Sequence, residues 1–175
     1  MKFCASCGHP VMLEIPEGDH LFRHVCSVCR TIHYENPRII AGCVPMWEDQ
    51  ILICRRAIEP RRGYWTLPAG FMENGETVQA GAAREAREEA LADVEIGSLL
   101  AVINIIHNHQ VHLMFRARLR NLNVGAGPES LEVKLVREHE IPWNELAFES
   151  IHFSLVRFLE DRAAARELLH MHTIA

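Results

Sequence analysis

The stretch GFMENGETVQAGAAREAREEALA, residues 70–92, carries the strongest pattern in the chain. Glycine and asparagine punctuate its first half, which predicts a loop. From Thr77 onward alanine alternates with glutamate and arginine, a composition that favours a helix. Thr77, with Glu76 beside it, is placed to start that helix, because a hydroxyl or carboxylate there satisfies free backbone amides at the positive end of the helix dipole.

Three glutamates of the predicted helix, Glu85, Glu88 and Glu89, are spaced i, i+3 and i+4. They therefore share one helical face. Carboxylates held this close repel one another, and hard divalent cations such as Mg²⁺ or Mn²⁺ prefer such an oxygen shell. The spacing alone leaves one alternative open, a solvated acidic face without a metal.

The chain has six cysteines, and the first four form the pattern Cys-x2-Cys-x18-Cys-x2-Cys. They are Cys4, Cys7, Cys26 and Cys29. This spacing predicts a structural Zn²⁺ site in which two tight turns supply four thiolates. Two disulfides are the alternative, which an intracellular chain disfavours. Residues 1–34 are too short to build an apolar core, so the metal would stabilise this predicted zinc ribbon.

The composition is that of an ordinary globular protein. The chain has 175 residues, of which 49% are hydrophobic and 23% are charged, with a formal net charge of −5. The negative charge disfavours a protein that coats nucleic acid. No apolar run has the length of a membrane span and the first residues do not form a signal peptide, so we expect a soluble cytoplasmic protein.

A second domain is predicted over residues 37–175. Residues 39–44 and 51–56 are apolar runs around a polar turn, which predicts a β-hairpin. Further apolar runs predict strands at 94–96, 99–106, 111–119 and 131–137. The period of the apolar residues from 150 to 169 predicts an amphipathic closing helix. Strands around one acidic helix and one C-terminal helix make a mixed α/β sandwich.

Four arginines cluster ahead of the loop, at Arg55, Arg56, Arg61 and Arg62. A guanidinium group suits phosphate oxygens, so Arg55, Arg56 and Arg61 are candidate substrate ligands. The alternative is that they only balance charge on the surface of an acidic protein.

Written as Gly70-x5-Glu76-x7-Arg84-Glu85-Ala86-x-Glu88-Glu89-x-Leu91-Ala92, residues 70–92 resemble the signature of the Nudix hydrolases. These are metal-dependent enzymes that cleave a nucleoside diphosphate linked to another group. The family usually has glycine where this chain has Leu91, and a glycine there would end the helix in a left-handed residue. The departure affects the end of the helix and leaves the carboxylate face intact.

The resemblance implies a role for each matching position. Glu85, Glu88 and Glu89, together with the carbonyl group of Gly70, would bind catalytic Mg²⁺ or Mn²⁺. Glu76 and Arg84 would form a structural ion pair between loop and helix. The implied fold is the Nudix α/β/α sandwich with a mixed sheet, preceded by the zinc ribbon.

A zinc ribbon ahead of this domain resembles the NADH pyrophosphatases, but residues 93–115 contain no proline or tryptophan, which those enzymes carry in a motif after the helix. The chain is more similar to a bacterial group related to plant plastid FAD pyrophosphatases. The shared runs include IPEG at 15–18, WTLPAG at 65–70 and GPESLE at 127–132. The resemblance implies hydrolysis of FAD to AMP and FMN, or of ADP-ribose, by a homodimer.

Several alternatives stay open at this level. Glu88 or Glu89 could act as the catalytic base, and among later residues Glu132 is the first candidate and Glu129 the second. Trp47, Tyr64 and Phe71 are candidate aromatic contacts for a substrate ring, although core packing explains them equally. The competing functions are an NADH pyrophosphatase and a non-catalytic nucleotide sensor.

Overall fold

The computed structural model describes residues 1–175, which divide into two compact units, Met1–Asn36 and Pro37–Ala175. The first unit is a three-stranded antiparallel sheet of β1 (Val11–Glu14), β2 (Arg23–Cys26) and β3 (Ile32–His33), with β2 in the middle. Cys4 and Cys7 precede β1, Cys26 ends β2, and Cys29 lies in the turn between β2 and β3. The second unit holds both helices and the remaining eight strands.

The second unit is built on a mixed eight-stranded sheet. Its strands are β4 (Arg38–Trp47), β5 (Gln50–Arg56), β6 (Trp65–Thr66), β7 (Ala69–Phe71), β8 (Val94–Ile105), β9 (Gln110–Leu119), β10 (Ser130–Val136) and β11 (His170–Ile174). The order is β10-β5-β4-β9-β8-β11, with β6 paired to β5 and β7 paired to β4. The β4–β9 and β8–β11 pairs are parallel and the others are antiparallel.

One helix packs on each face of this sheet, α1 (Val78–Ala90) and α2 (Glu149–Ala163). Alternation along β5 explains the two cores, since successive side chains of a strand point to opposite faces. Ile51 and Ile53 pack in the core that contains α2, whereas Leu52 and Cys54 pack in the core that contains α1. The predicted mixed α/β sandwich is confirmed. Neither helix combines the length and the apolar character that crossing a membrane requires.

Two predicted elements differ from the structure. The runs at 94–96 and 99–106 are one irregular strand, β8, whose pairing with β9 shifts register between Ile96 and Ala101. The predicted closing helix to residue 169 is wrong beyond Ala163: Ala165 adopts a positive φ of 48°, and the chain then enters β11 alongside β8. The buried carboxylate of Asp161 holds the returning segment, because it accepts hydrogen bonds from Arg166 and from the backbone amide of Leu168.

Both ends of α1 are capped by their neighbours in sequence. The Thr77 hydroxyl accepts a hydrogen bond from the Ala80 amide at 3.1 Å, as predicted for an N-cap. Leu91 ends the helix in the left-handed conformation, with φ of 50°, so the helix closes there despite the missing glycine. The backbone amides of Gly125 and Gly127 donate to the carbonyl oxygens of Ala90 and Glu89, which ties the following loop to the last turn.

Candidate active site

The acidic face of α1 borders a cavity of about 740 Å³ in the second unit. Glu85, Glu88 and Glu89 line it together with Gly70 of β7. Strand β7 approaches α1 closely, since a Cβ atom added at Gly70 would overlap the carboxylate group of Glu85. The backbone amide of Ala69 also donates a hydrogen bond to Glu89 Oε2 at 3.2 Å. Loop, strand and helix therefore place the three glutamates and Gly70 in one site.

Arg84 is the centre of an ion-pair network beside this cavity. Its guanidinium group donates two hydrogen bonds to Glu76, at 2.9 and 3.1 Å, and one to the backbone carbonyl group of Phe71. Its Nη1 also donates to Glu85 at 2.6 Å and to Glu88 at 2.8 Å. The hydrogen bonds from Arg84 lower the pKa of Glu76 to about 2, so this pair stays ionised and braces the loop against the helix.

Burial acts in the opposite direction on two of the helix glutamates. It raises the pKa of Glu89 to about 8, and the neighbouring charges of Glu85 and Glu129 add to the effect. Burial also raises the pKa of Glu85, which Arg84 only partly offsets. Glu88 is the exposed member of the three, with 57% of its side chain accessible. Buried carboxylates that lack sufficient counter-charge are typical of functional sites.

The cavity lining has more acidic than basic side chains. The acidic ones are Glu59, Glu73, Glu85, Glu88, Glu89 and Glu129, and the basic ones are Arg56, Arg84 and Arg87. Even with Glu89 protonated, carboxylates remain in excess over guanidinium groups. Oxygen donors with an uncompensated negative charge fit a hard divalent cation, which would supply the missing positive charge.

The two candidates for a base outside the helix occupy different places. Glu129 lines the cavity, and its charge raises the pKa values of Glu85 and Glu89. Glu132 does not line it: its carboxylate pairs with Lys134 at 2.8 Å and with Arg55 at 3.8 Å. Of the two, Glu129 is therefore the one at the cavity, whereas Glu132 lies opposite Arg55 of β5 in the regular register of β10.

Of the three candidate arginines, Arg56 alone lines the cavity. Its Nε donates to the carbonyl oxygen of Pro60 at 2.9 Å, and its guanidinium carbon lies 5.1 Å from the ring centroid of Phe148. Arg55 donates to the carbonyl group of Gly63, and Arg61 lies over the ring of Tyr64. The three arginines are close in sequence but do not share one site. Alternation along β5 points the side chains of Arg55 and Arg56 to opposite faces of the sheet.

The three aromatic candidates also differ in whether they line the cavity. Phe71 lines the cavity and lies 4.8 Å from the guanidinium carbon of Arg38. Trp47 and Tyr64 do not line it. Trp47 packs against the core that contains α1, as the core-packing alternative predicts.

Two polar residues of the cavity wall, Gln110 and His112 on β9, were not among the site residues predicted from the sequence. His112 is 7% exposed and lies opposite Ile40 and Ile103 in the neighbouring strands. The available signal was a polar pair at i and i+2 at the start of an apolar strand, which places both side chains on one face.

The four N-terminal cysteines converge in the first unit. Their sulfur atoms all lie within 4.8 Å of one another, and three of the separations are 3.4 to 3.6 Å. Tetrahedral Zn²⁺ with Zn–S bonds of about 2.3 Å needs sulfur separations of about 3.8 Å, so the donors fit zinc. All six cysteines of the chain are free thiols, and the two-disulfide alternative is not realised.

Two family models match separate, adjoining parts of the chain. A family model described as Nudix N-terminal, of the zinc-ribbon type, matches residues 2–35. A second model, described as NUDIX domain, matches residues 36–159. A crystal structure of a NUDIX hydrolase from Nitrosomonas europaea is 55% identical, with a TM-score of 0.96, and the alignment covers 99% of each chain.

More distant matches cover less. The NAD-capped RNA hydrolase NudC of Salmonella heidelberg is 40% identical over 92 residues, which are 51% of this chain. Those residues are only 33% of the length of that relative. An ADP-ribose pyrophosphatase from Streptococcus suis has a TM-score of 0.61 over 79% of this chain and 100% of its own, at 20% identity. That last likeness concerns the fold alone.

Proposed function

The chain belongs to the Nudix family, with a zinc-ribbon segment ahead of its NUDIX domain, and from this premise we propose that it is a pyrophosphatase dependent on Mg²⁺ or Mn²⁺. The proposed substrates are nucleoside diphosphates linked to a second group, with FAD and ADP-ribose first. Cleavage of FAD at the pyrophosphate would give AMP and FMN. One arrangement carries the proposal, the gathering of Glu85, Glu88 and Glu89 with Gly70 in a single cavity.

The charge of the cavity supports a metal-dependent reaction. A diphosphate is an anion, and the lining has an excess of carboxylates that would repel it. Divalent cations held by Glu85, Glu88, Glu89 and the Gly70 carbonyl group would reverse that repulsion. When bound there, such cations would neutralise the diphosphate, polarise a P–O bond and lower the pKa of an attacking water.

The chain's own residues have three further tasks in this proposal. Arg56 binds a phosphate oxygen from the cavity wall, while its Nε stays anchored on the Pro60 carbonyl group. Arg84 keeps Glu85 and Glu88 oriented through Nη1. Glu129 is the proposed base and accepts the proton of the attacking water on a carboxylate oxygen. Glu132, which pairs with Lys134 outside the cavity, has no such task.

Zn²⁺ on Cys4, Cys7, Cys26 and Cys29 has a structural role in the proposal, because a closed set of four thiolates leaves no position for substrate. The division into a ribbon at 1–34 and a hydrolase domain at 37–175 is part of the same proposal, as are a cytoplasmic location and a homodimer. Sedimentation at equilibrium would measure the oligomeric state.

NADH pyrophosphatase activity is the second candidate. It is favoured by a partial likeness, 40% identity over 92 residues, to a relative named as an NAD-capped RNA hydrolase, and disfavoured by the absence of a proline- and tryptophan-containing motif in residues 93–115. A nucleotide sensor without activity is the third candidate. It is disfavoured because Glu76, Arg84 and the three helix glutamates are all present.

Turnover of a substrate panel tests the proposal. FAD, ADP-ribose and NADH are each incubated with Mg²⁺ or Mn²⁺ and with wild type, Glu88→Gln or Glu160→Gln. Glu88→Gln is expected to reduce kcat at least about a hundredfold, the size of losing one key charged group. Glu160→Gln removes an exposed carboxylate on α2 and serves as the matched control.

The outcomes of the panel separate the candidates. The substrate with the highest kcat/KM identifies the activity, and a preference for NADH selects the second candidate. A wild type that binds these nucleotides but cleaves none of them with either metal would be a sensor, and the pyrophosphatase proposal would then be wrong.

A further inference from the structure

Part of the cavity wall is uncharged and apolar. Ile40, Ile105, Phe148 and Ile151 line it there, from β4, β8 and the start of α2. Pairing in the sheet brings Gln110 and His112 beside this wall, since Gln110 lies opposite Ile105 and His112 lies opposite Ile40. An apolar cavity wall beside a few polar groups is the usual composition of a small-molecule site.

Gln110 and His112 are joined by a hydrogen bond. Nε2 of His112 and Oε1 of Gln110 are 3.2 Å apart, and both side chains stand on one face of β9. His112 is 93% buried, and its Nδ1 has no hydrogen-bond partner. The amide nitrogen of Gln110 makes no hydrogen bond to another side chain, and Gln110 itself is only half-buried at the cavity.

The direction of this hydrogen bond follows from the surroundings of the ring. Burial lowers the pKa of His112 to about 4, so at neutral pH the imidazole carries one N–H group. A proton on Nδ1 would leave a buried donor unpaired, and such donors are rare. The proton therefore resides on Nε2, which donates to Oε1 of Gln110. With its oxygen engaged, Gln110 presents its NH₂ group to the cavity.

Building on the proposed function, we propose that Gln110 is a specificity-determining residue and His112 its positioning residue. The amide NH₂ of Gln110 donates a hydrogen bond to a ring nitrogen or ring carbonyl oxygen of a heteroaromatic group in the substrate. The ring packs against Ile40, Ile105 and Ile151. Purine and flavin rings both supply such acceptors. Cleavage of FAD at the pyrophosphate releases the purine ring in AMP and the flavin ring in FMN.

Binding of product-sized probes tests the inference without turnover. Isothermal titration in the presence of Mg²⁺ measures Kd for AMP, FMN and ribose 5-phosphate, which has the phosphate and sugar but no ring. Gln110→Met is expected to raise Kd for AMP or FMN about three- to tenfold, the size of one neutral hydrogen bond, and to leave ribose 5-phosphate unchanged. Whether AMP or FMN is affected identifies which ring the residue contacts.

A second variant tests the positioning role. His112→Phe keeps the ring volume and removes the donor to Gln110, so it is expected to raise Kd for the same probe. The double variant is expected to be no worse than Gln110→Met alone, because both substitutions remove one contact. Gln79→Met, on the exposed side of α1, controls for loss of an amide elsewhere. Melting curves confirm that each variant is folded.

The outcomes distinguish this inference from the proposed function. Equal Kd values for wild type and both variants with AMP and FMN would overturn it, whatever the turnover of the wild type. So would equal losses for ribose 5-phosphate, since the effect would then not concern a ring. A wild type that cleaves no substrate but shows the expected Kd pattern would reject the activity and retain the ring contact.

Discussion

Asp161 on α2 and Glu89 on α1 are both buried carboxylates, with 1% and 6% exposure, but their surroundings are opposite. Asp161 pairs with Arg116, Arg166 and His170 and accepts the backbone amide of Leu168. Burial raises its pKa, but the hydrogen bonds outweigh that effect and lower the pKa to about 2. Glu89 accepts one backbone amide, and burial raises its pKa to about 8.

The difference separates a carboxylate that stabilises the fold from one that is available to a ligand. At Asp161 the carboxylate charge is compensated within the chain, and the cluster fixes the return from α2 to β11. At Glu89 compensation is incomplete, and the deficit lies beside a cavity. Perturbed carboxylates occur in both kinds of region, so the presence or absence of partners decides between them.

Asp161→Asn should have the largest effect on stability. Breaking a buried ion pair leaves Arg116 with an uncompensated charge and should reduce the free energy of unfolding by about 3–5 kcal/mol. Urea unfolding followed by tryptophan fluorescence measures it, since Trp47, Trp65 and Trp143 all lie in the second unit. Glu160→Gln, next to it in sequence and exposed, should change little. A small loss for Asp161→Asn would remove the contrast.

Glu89→Gln should have the opposite profile. Glutamine retains an acceptor for the Ala69 amide and matches the neutral form that burial favours, so the free energy of unfolding without divalent metal should not fall. Metal-dependent kcat should drop about a hundred- to a thousandfold. The same urea assay and the substrate panel measure both quantities. Loss of stability together with full activity would place Glu89 among the structural carboxylates.

Glu129→Gln and Glu132→Gln refine the comparison within one segment. Because Glu129 is the proposed base, Glu129→Gln should lower kcat about a hundredfold. Glu132 pairs with Lys134 on the surface, and its replacement should leave kcat within about twofold, since exposed pairs contribute little. The steady-state rates of the two variants with the same substrate decide the matter; the reverse ranking would restore Glu132 as the candidate.

The pH dependence of stability gives a further contrast. Asp161 has a lower pKa folded than its ordinary value of 3.8, so the folded protein binds fewer protons there. Its contribution is complete above about pH 4 and is lost as the pH falls towards 2. Arg116, Arg166 and His170 face it. The difference between the urea midpoints of wild type and Asp161→Asn should therefore narrow as the pH falls from about 4 towards 2; a constant difference would contradict this.

Leu91→Gly should have the smallest effect. A left-handed backbone costs a leucine about 1–2 kcal/mol, and glycine loses part of that advantage through entropy, which leaves a gain of about 0.5–1 kcal/mol. Urea unfolding measures the gain. Gln79→Gly, in the first turn of the same helix, should instead lose up to about 1 kcal/mol. Equal losses for both variants would argue that the Leu91 side chain contributes packing.

Local patterns predicted the parts of the molecule that local physics determines. The helix spacing predicted which glutamates share a face, the Thr77 cap was correct, and the cysteine spacing predicted the convergent thiols. Those features depend on residues a turn or two apart. Helical geometry alone does not place Glu85, Glu88 and Glu89 at a cavity, and that placement needed β7 and the Glu129 loop.

The features that were missed depend on distant contacts. An alanine-rich run at 163–165 favours continuation of α2, and the chain leaves the helix because Asp161 captures Arg166 and Leu168. The position of Glu129 at the cavity depends on a loop that is held to α1 by the Gly127 amide, which donates to the carbonyl oxygen of Glu89. The Gln110–His112 pair acquires meaning only once β4 and β8 flank it.

The contact of Gly127 with the end of α1 fixes the spacing between this helix and the loop that follows it. A Cβ atom there would overlap the carbonyl oxygen of Glu88, and the Gly127 amide is bound to the carbonyl oxygen of Glu89 at 3.0 Å. Glu129 follows two residues later, so the contact of Gly127 with α1 also fixes the distance of Glu129 from the helix. Insertions can be accommodated upstream, at the exposed residues Leu122 and Asn123, where a reporter peptide could be grafted. A single residue added between Gly127 and Glu129 would instead change the reach of that carboxylate.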